Sequence, residues 1–246
     1  RPVGNDEVLW MSPLAQYQTG KAIRGGVPVI WPWFGSHASD SAKPQHGFAR
    51  LAEWLVLSLE TAQDGSTQLE FQLSENELTR KLWPHDFELR LAINIGAELK
   101  IQWLYRNTGK SDFVFSGALH SYFAIADVTQ MHISGLAGEQ YIDQLNDDQI
   151  TKQPGNLQIE KEVDRIYINT DDKTTNDKTC IIHDAVMSRQ IKIKNSGNRH
   201  TVVWNPWISK SQSMSDFPDE GYKSMVCIEA ANTGDNVISL APGQEL

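Results

Sequence analysis

The feature that most constrains the fold is a two-residue alternation running from Phe87 to Tyr105. Phe87, Leu89, Leu91, Ile93 and Ile95 fall on one side, and Leu99, Ile101, Trp103 and Tyr105 resume the pattern after a short break. Successive side chains of a strand point to opposite faces, so this spacing predicts two consecutive strands, each with one buried face. Shorter runs of the same kind occur at Leu55–Leu59, Leu69–Leu73, Ile166–Ile168, Cys180–Ile182, Ile191–Ile193 and Thr201–Trp204. Asn107-Thr108-Gly109-Lys110 and Asn195-Ser196-Gly197-Asn198 have the composition of hairpin turns between such strands. Short helices are predicted only over Ser74–Trp83 and Asn205–Asp216. Many short strands at close spacing predict an all-β sandwich or barrel. With no linker, repeat or low-complexity tract, one domain is expected from the 246 residues.

Charge and motif content exclude several functions. The chain has 31 acidic against 22 basic side chains, a net charge of −9, which argues against binding nucleic acid or an anionic membrane. No apolar stretch approaches the length of a membrane span. Two cysteines, Cys180 and Cys227, suit a reducing, cytoplasmic setting better than a disulfide framework. Nucleotide-binding glycine patterns, paired Cys-x-x-Cys, His-Glu-x-x-His and the Gly-x-Ser-x-Gly elbow are all absent. The seven histidines, at 37, 46, 85, 120, 132, 183 and 200, show no metal-ligand spacing. No cofactor and no metal are therefore expected.

Three distant segments carry ionisable groups among small or apolar residues. They are Gln45-His46-Gly47-Phe48-Ala49-Arg50, Gly117-Ala118-Leu119-His120-Ser121-Tyr122-Phe123 and Cys227-Ile228-Glu229-Ala230-Ala231-Asn232-Thr233. Alternation over Phe113–Phe123 puts Val114, Ser116, Ala118, His120 and Tyr122 on one face, leaving room before the imidazole. The opposite face, with Phe113, Phe115, Leu119 and Phe123, is expected to be core. Met225–Ala231 groups Cys227, Glu229 and Ala231 in the same way. A lone histidine at a core edge is usually structural, and a strand glutamate often keeps its head in water. Two strands with the same pattern favour a shared cleft, where an imidazole and a carboxylate can donate and accept protons. Arg24-Gly25-Gly26 leads into Val27-Pro28-Val29-Ile30-Trp31-Pro32-Trp33-Phe34-Gly35, whose aromatic rings either face a sugar or simply fill a core.

At these residues the chain resembles the aldose 1-epimerase (galactose mutarotase-like) superfamily, and within it the hexose-6-phosphate mutarotase branch. The resemblance rests on Arg24-Gly25-Gly26 with the Pro/Trp loop, Gln45–Arg50, Leu119–Phe123, Val163-Asp164-Arg165, Val203–Trp207 and Ile228–Asn232, in the family's order. It implies a supersandwich of two large, mostly antiparallel sheets over residues 1–246, with further strands expected beyond one or both ends. It also implies His120 as catalytic acid, Glu229 as catalytic base, and Arg24, Gln45, His46, Arg50 and Asp164 as substrate contacts. The two arginines suit a phosphate group.

The expected activity is interconversion of the α and β anomers of an aldohexose 6-phosphate by ring opening and closure. Its expected partner is a small sugar or sugar phosphate, and the expected state is a monomer. Two other readings stay open: a sugar-binding or sugar-sensing protein without turnover, and a glycosidase using Glu229 with Asp164.

Overall fold

The computed structural model describes residues 6–169 and 177–246. Its contacts divide the chain into two compact units. One comprises residues 6–29 with Ala118–Asn236, the other Ile30–Gly117 with Val237–Leu246. The ladders joining the strands below, apart from those of Gly117–Leu119, are antiparallel, as the all-β reading expects.

The first unit is organised by one long sheet. Its order runs Val29–Ile30, Gly117–Leu119, Met225–Asn232, His200–Asn205, Val163–Ile168, Gln140–Asp143 and Gln149–Lys152, and Tyr122–Ala124 also pairs with Met225–Asn232. One face of this sheet presents Val163, Tyr167, Val203, Val226 and Ile228 to a core shared with Met131, Ile133, Cys180, Ile182 and Ile191. Those last residues come from a three-stranded sheet of Met131–Ser134, Lys178–Asp184 and Arg189–Asn195. Each fully buried side chain of this size contributes about 1.5–3 kcal/mol of transfer free energy. His200–Asn205 is buried at every residue, as a central strand covered on both faces must be. The opposite face carries a smaller core of Trp10, Tyr122, Trp204, Phe217, Met225 and Cys227, and that face holds the candidate site.

The second unit contains the meander Leu55–Thr61, Thr67–Ser74, Phe87–Ile95 and Leu99–Asn107, so the long alternation does form two paired strands. Helix Glu77–Leu82 starts at Asn76, whose side chain accepts from the backbone of Leu78 and Thr79. Trp31 is fully buried against Phe48, Trp83, Phe87 and Phe115. Trp33 is buried as well, so of the two readings of this loop its tryptophans take the core one.

Both expected hairpin turns have a different role. Arg189–Asn195 belongs to the three-stranded sheet and His200–Asn205 to the long one, so the turn at 195–198 carries the chain between sheets. Leu99–Asn107 pairs with Phe87–Ile95, whereas Phe113–Phe115 pairs with Ile238–Leu240. Asn107 secures that second corner: its buried amide donates to the carbonyls of Ser111 (2.9 Å) and Leu240 (2.8 Å). Both cysteines are free and buried. Among the described residues, no helix is long and apolar enough to cross a membrane.

Candidate active site

Strand register builds the site. Asp164 pairs with Trp204, Trp204 with Cys227, and Cys227 with Tyr122, so one row of side chains crosses one face of four strands. Glu229 stands two residues beyond Cys227 on that face. His120 falls in the gap between Gly117–Leu119 and Tyr122–Ala124. There the chain kinks: Ser121 N–H donates back to Leu119 O at 2.9 Å, while His120 N–H donates to Pro28 O at 3.0 Å. Such interruptions of a strand re-aim a side chain. The faces predicted across Phe113–Phe123 hold for most residues: Phe113, Phe115 and Phe123 are buried and Tyr122 shares the His120 face, while Leu119 is only half-buried.

His120 Nε2 lies 3.3 Å from Glu229 Oε1, with the glutamate side chain only 2% exposed. Burial of a carboxylate is costly without a compensating partner, and the imidazole supplies one. Tyr122 stacks on His120 with centroids 4.7 Å apart and planes at 12°. Trp204 meets the imidazole edge to face at 5.9 Å. Tyr122 is held in turn: Arg24 Nη1 donates to its hydroxyl at 3.0 Å, and Arg24 Nε pairs with Asp216 Oδ2 at 3.2 Å. Burial, and then the buried Cys227, push the Tyr122 hydroxyl well above the ordinary phenol range, so it remains protonated. Arg24 thus reaches the site as the clamp of the ring under His120.

Arg24 depends on its neighbour. Gly25 has φ +113°, and a Cβ there would lie 2.5 Å from Trp10 O, so glycine is required for the close approach of the two segments.

Asp164 lies further along the same face. Burial raises its carboxyl to about 6; Lys210 opposes the shift, while Glu162, Asp143 and Asp148 add to it. The native state therefore holds this proton at pH values where the unfolded chain has released it. Stability is lost as pH rises from about 4 to about 6 and is not recovered above that window. Asp164→Asn should stabilise the protein at pH 7 by roughly 1–3 kcal/mol and flatten the profile across that window. Urea unfolding at both ends of the window measures this, and a variant no more stable than wild type at pH 7 removes the argument.

Gln45, His46 and Arg50 lie in the other unit, grouped among themselves. Arg50 Nη2 donates to Gln45 O at 2.9 Å, and His46 Nδ1 accepts from Gly35 N–H at 3.1 Å. His46 has a positive φ of 64°. Gly47 follows at φ +71°, where a Cβ would overlap the Trp31 carbonyl. The backbone of this loop is fixed by that contact, consistent with a loop that presents side chains in defined positions.

Sequence reasoning does not reach Asp216, which nothing local distinguishes. It places Tyr122 on the His120 face without its stacking role. It also reads the histidines as lacking metal-ligand spacing, yet the fold gathers His120, Cys227 and Glu229 so that their ligand atoms lie within 4.8 Å of one another. The Trp204-Asn205-Pro206-Trp207 segment has a structural use: Asn205 Nδ2 donates to Tyr222 O and Met225 O, and its Oδ1 accepts from Trp207 N–H.

The family model described as aldose 1-epimerase matches residues 1–246. A protein of Salmonella typhimurium named "Putative glucose-6-phosphate 1-epimerase" is 39% identical over 230 residues, covering 93% of this chain and 74% of that protein. Its namesake in Escherichia coli is 38% identical over 232 residues, covering 94% and 74%. Among solved structures, the crystal structure of a "putative mutarotase (YeaD)" from Salmonella typhimurium superposes with a TM-score of 0.88 at 35% identity. That match covers all of this chain and 79% of the other.

Proposed function

We propose, from the premise that the chain belongs to the aldose 1-epimerase family, that Glu229 and His120 exchange protons with a hexose 6-phosphate. Family membership makes the chain an enzyme that interconverts sugar anomers; the residues and the phosphorylated substrate are our reading. The observation that carries it is the 3.3 Å approach of His120 Nε2 to Glu229 Oε1. In a cyclic sugar the anomeric hydroxyl and the ring oxygen share one carbon, so donor and acceptor must converge on adjacent atoms. A pair this close does that.

Glu229, as carboxylate, removes the proton from the anomeric hydroxyl. His120, as imidazolium, protonates the ring oxygen, and the ring bond breaks to leave an open-chain aldehyde. The aldehyde turns about the C1–C2 bond and the same two groups reverse their roles to close the ring. An imidazolium beside a carboxylate is electrostatically self-consistent in a buried site.

A glycosidase is disfavoured by the partner of Glu229. Its carboxylate meets His120 Nε2 at 3.3 Å, whereas most glycosidases set two carboxyl groups across the bond they cleave.

Arg50 is our choice for the phosphate. Arg24 spends two guanidinium nitrogens on Asp216 and Tyr122; Arg50 stands on the short 3-10 turn Ala49–Leu51, with Nη2 donating to Gln45 O. In a chain of net charge −9 a short-range guanidinium contact must supply the attraction. Magnetisation-exchange NMR on glucose 6-phosphate and on free glucose tests both the reaction and the substrate. Arg50→Ala should raise KM for the phosphate roughly tenfold or more and leave free glucose nearly unchanged. Equal losses on both sugars would assign Arg50 to the loop, and faster wild-type exchange with free glucose would discard the phosphate.

A further inference from the structure

We propose that His120, Cys227 and Glu229 form a second kind of site, a thiolate-containing site for a zinc-like divalent cation that blocks the sugar reaction. The inference rests on the reading of His120 and Glu229 as proton carriers for its effect on turnover, but not for the binding itself. Their ligand atoms are mutually within 4.8 Å. Around a tetrahedral zinc ion, with bonds of about 2.0 Å to nitrogen or oxygen and 2.3 Å to sulfur, neighbouring ligand atoms are roughly 3.5 Å apart. His120 Nε2 and Glu229 Oε1 are already at that spacing, 3.3 Å apart, so the remaining contraction of about an ångström lies between that pair and Cys227 Sγ, within the reach of side-chain rotation.

The donor set fits a borderline-soft ion. One thiolate, one imidazole nitrogen and one carboxylate favour zinc or cobalt over magnesium or calcium, which take oxygen ligands. Charge also fits: a dication with one thiolate and one carboxylate is neutral overall, so burial costs less than it would for either anion alone. Binding requires Cys227 to release its proton to solvent as the Sγ–metal bond forms, and the His120 imidazolium to release one as its nitrogen binds, with the ionised carboxylate as the third ligand. The ligands bind in their deprotonated forms, so occupancy should rise with pH. Three protein ligands leave a fourth position for water or a sugar hydroxyl. An ion so held occupies both proton carriers at once. Turnover itself involves no metal in this scheme, and the ion is an inhibitor.

Cobalt(II) added to the whole protein tests binding without reference to activity. A thiolate-to-cobalt charge-transfer absorption should appear with the wild type, strengthen with pH, and disappear in Cys227→Ala, which retains Cys180. Zinc should slow anomer exchange in the wild type, and chelator should restore it. In Cys227→Ala the inhibiting zinc concentration should rise at least about tenfold, the scale expected when a ligand contribution is lost. Absence of the absorption in the wild type, its persistence in Cys227→Ala, or equal zinc sensitivity in both would each overturn the site. If the protein proves to have no anomer exchange, the cobalt spectrum still decides the binding.

Discussion

Glu229→Gln and His120→Ala should each slow anomer exchange by roughly 10²- to 10⁴-fold, the range expected on removal of a positioned acid or base. Glutamine keeps the shape of Glu229 and can still face His120 Nε2, now 3.3 Å from Oε1, but it cannot accept a proton. Its effect should therefore fall on kcat with little change in KM, because ground-state contacts are preserved. Alanine at 120 removes the ring that Tyr122 and Trp204 pack against, so substrate binding should suffer as well. A histidine-to-glutamine substitution at 120 separates packing from proton transfer, since it refills part of the space. The double variant should lose little more than the worse single one, because the two groups act as one proton relay. Single-turnover exchange on variants shown folded by circular dichroism measures these ratios. Wild-type rates in folded Glu229→Gln would remove the carboxylate from the chemistry.

Strands were legible in this sequence wherever one face meets solvent or a single layer. Phe87–Leu91 follows its alternation closely, because a two-residue period records burial on one side, whereas Ile95 and Leu99 at the far end of the pair are exposed and the apolar residues of Leu99–Asn107 are at most half-buried. His200–Asn205 shows no such period, being buried on both sides, and only its β-branched and aromatic content marks it. Which strand pairs with which was not legible. Asn195–Asn198 has hairpin chemistry but links two sheets, since a turn's composition fixes local dihedrals and not the partner of the next strand.

For the site, a charged residue among small neighbours pointed to His120 and to Glu229 separately. Their approach depends on both flanking strand pieces pairing with the Glu229 strand, a non-local fact. The Arg24–Tyr122–Asp216 clamp shows the same limit, for Asp216 lies in a loop after the helix Trp207–Ser213 and has no motif of its own. Leu119, expected in the core, is only half-buried beside the break at His120-Ser121.

A second large effect is expected far from the chemistry, at the pair between Lys178 and Glu139. Lys178 Nζ lies 2.7 Å from Glu139 Oε1, and the two side chains are 1% and 5% exposed. Lys178 opens the strand Lys178–Asp184 on the same face as Cys180 and Ile182, which sit in the main core of its unit. Lys178→Met keeps most of the side-chain volume but deletes the cation, leaving a carboxylate in a site built around a charge pair. Breaking one partner of a buried pair typically costs about 3–5 kcal/mol, because desolvation of the remaining charge is then less fully offset. Adding Glu139→Leu should recover a large part of that loss, since a buried pair replaced by apolar groups of similar volume is often close to neutral. The double variant should thus be more stable than Lys178→Met alone, a sign reversal that simple loss of packing would not produce. Exchange rates per folded molecule should match wild type in Lys178→Met, Glu139→Leu and the double variant, since neither residue belongs to the strand face that carries His120 and Glu229. Denaturant unfolding of the three variants measures the cycle. A single variant within about 1 kcal/mol of wild type would place this pair with the weakly contributing ones found at surfaces.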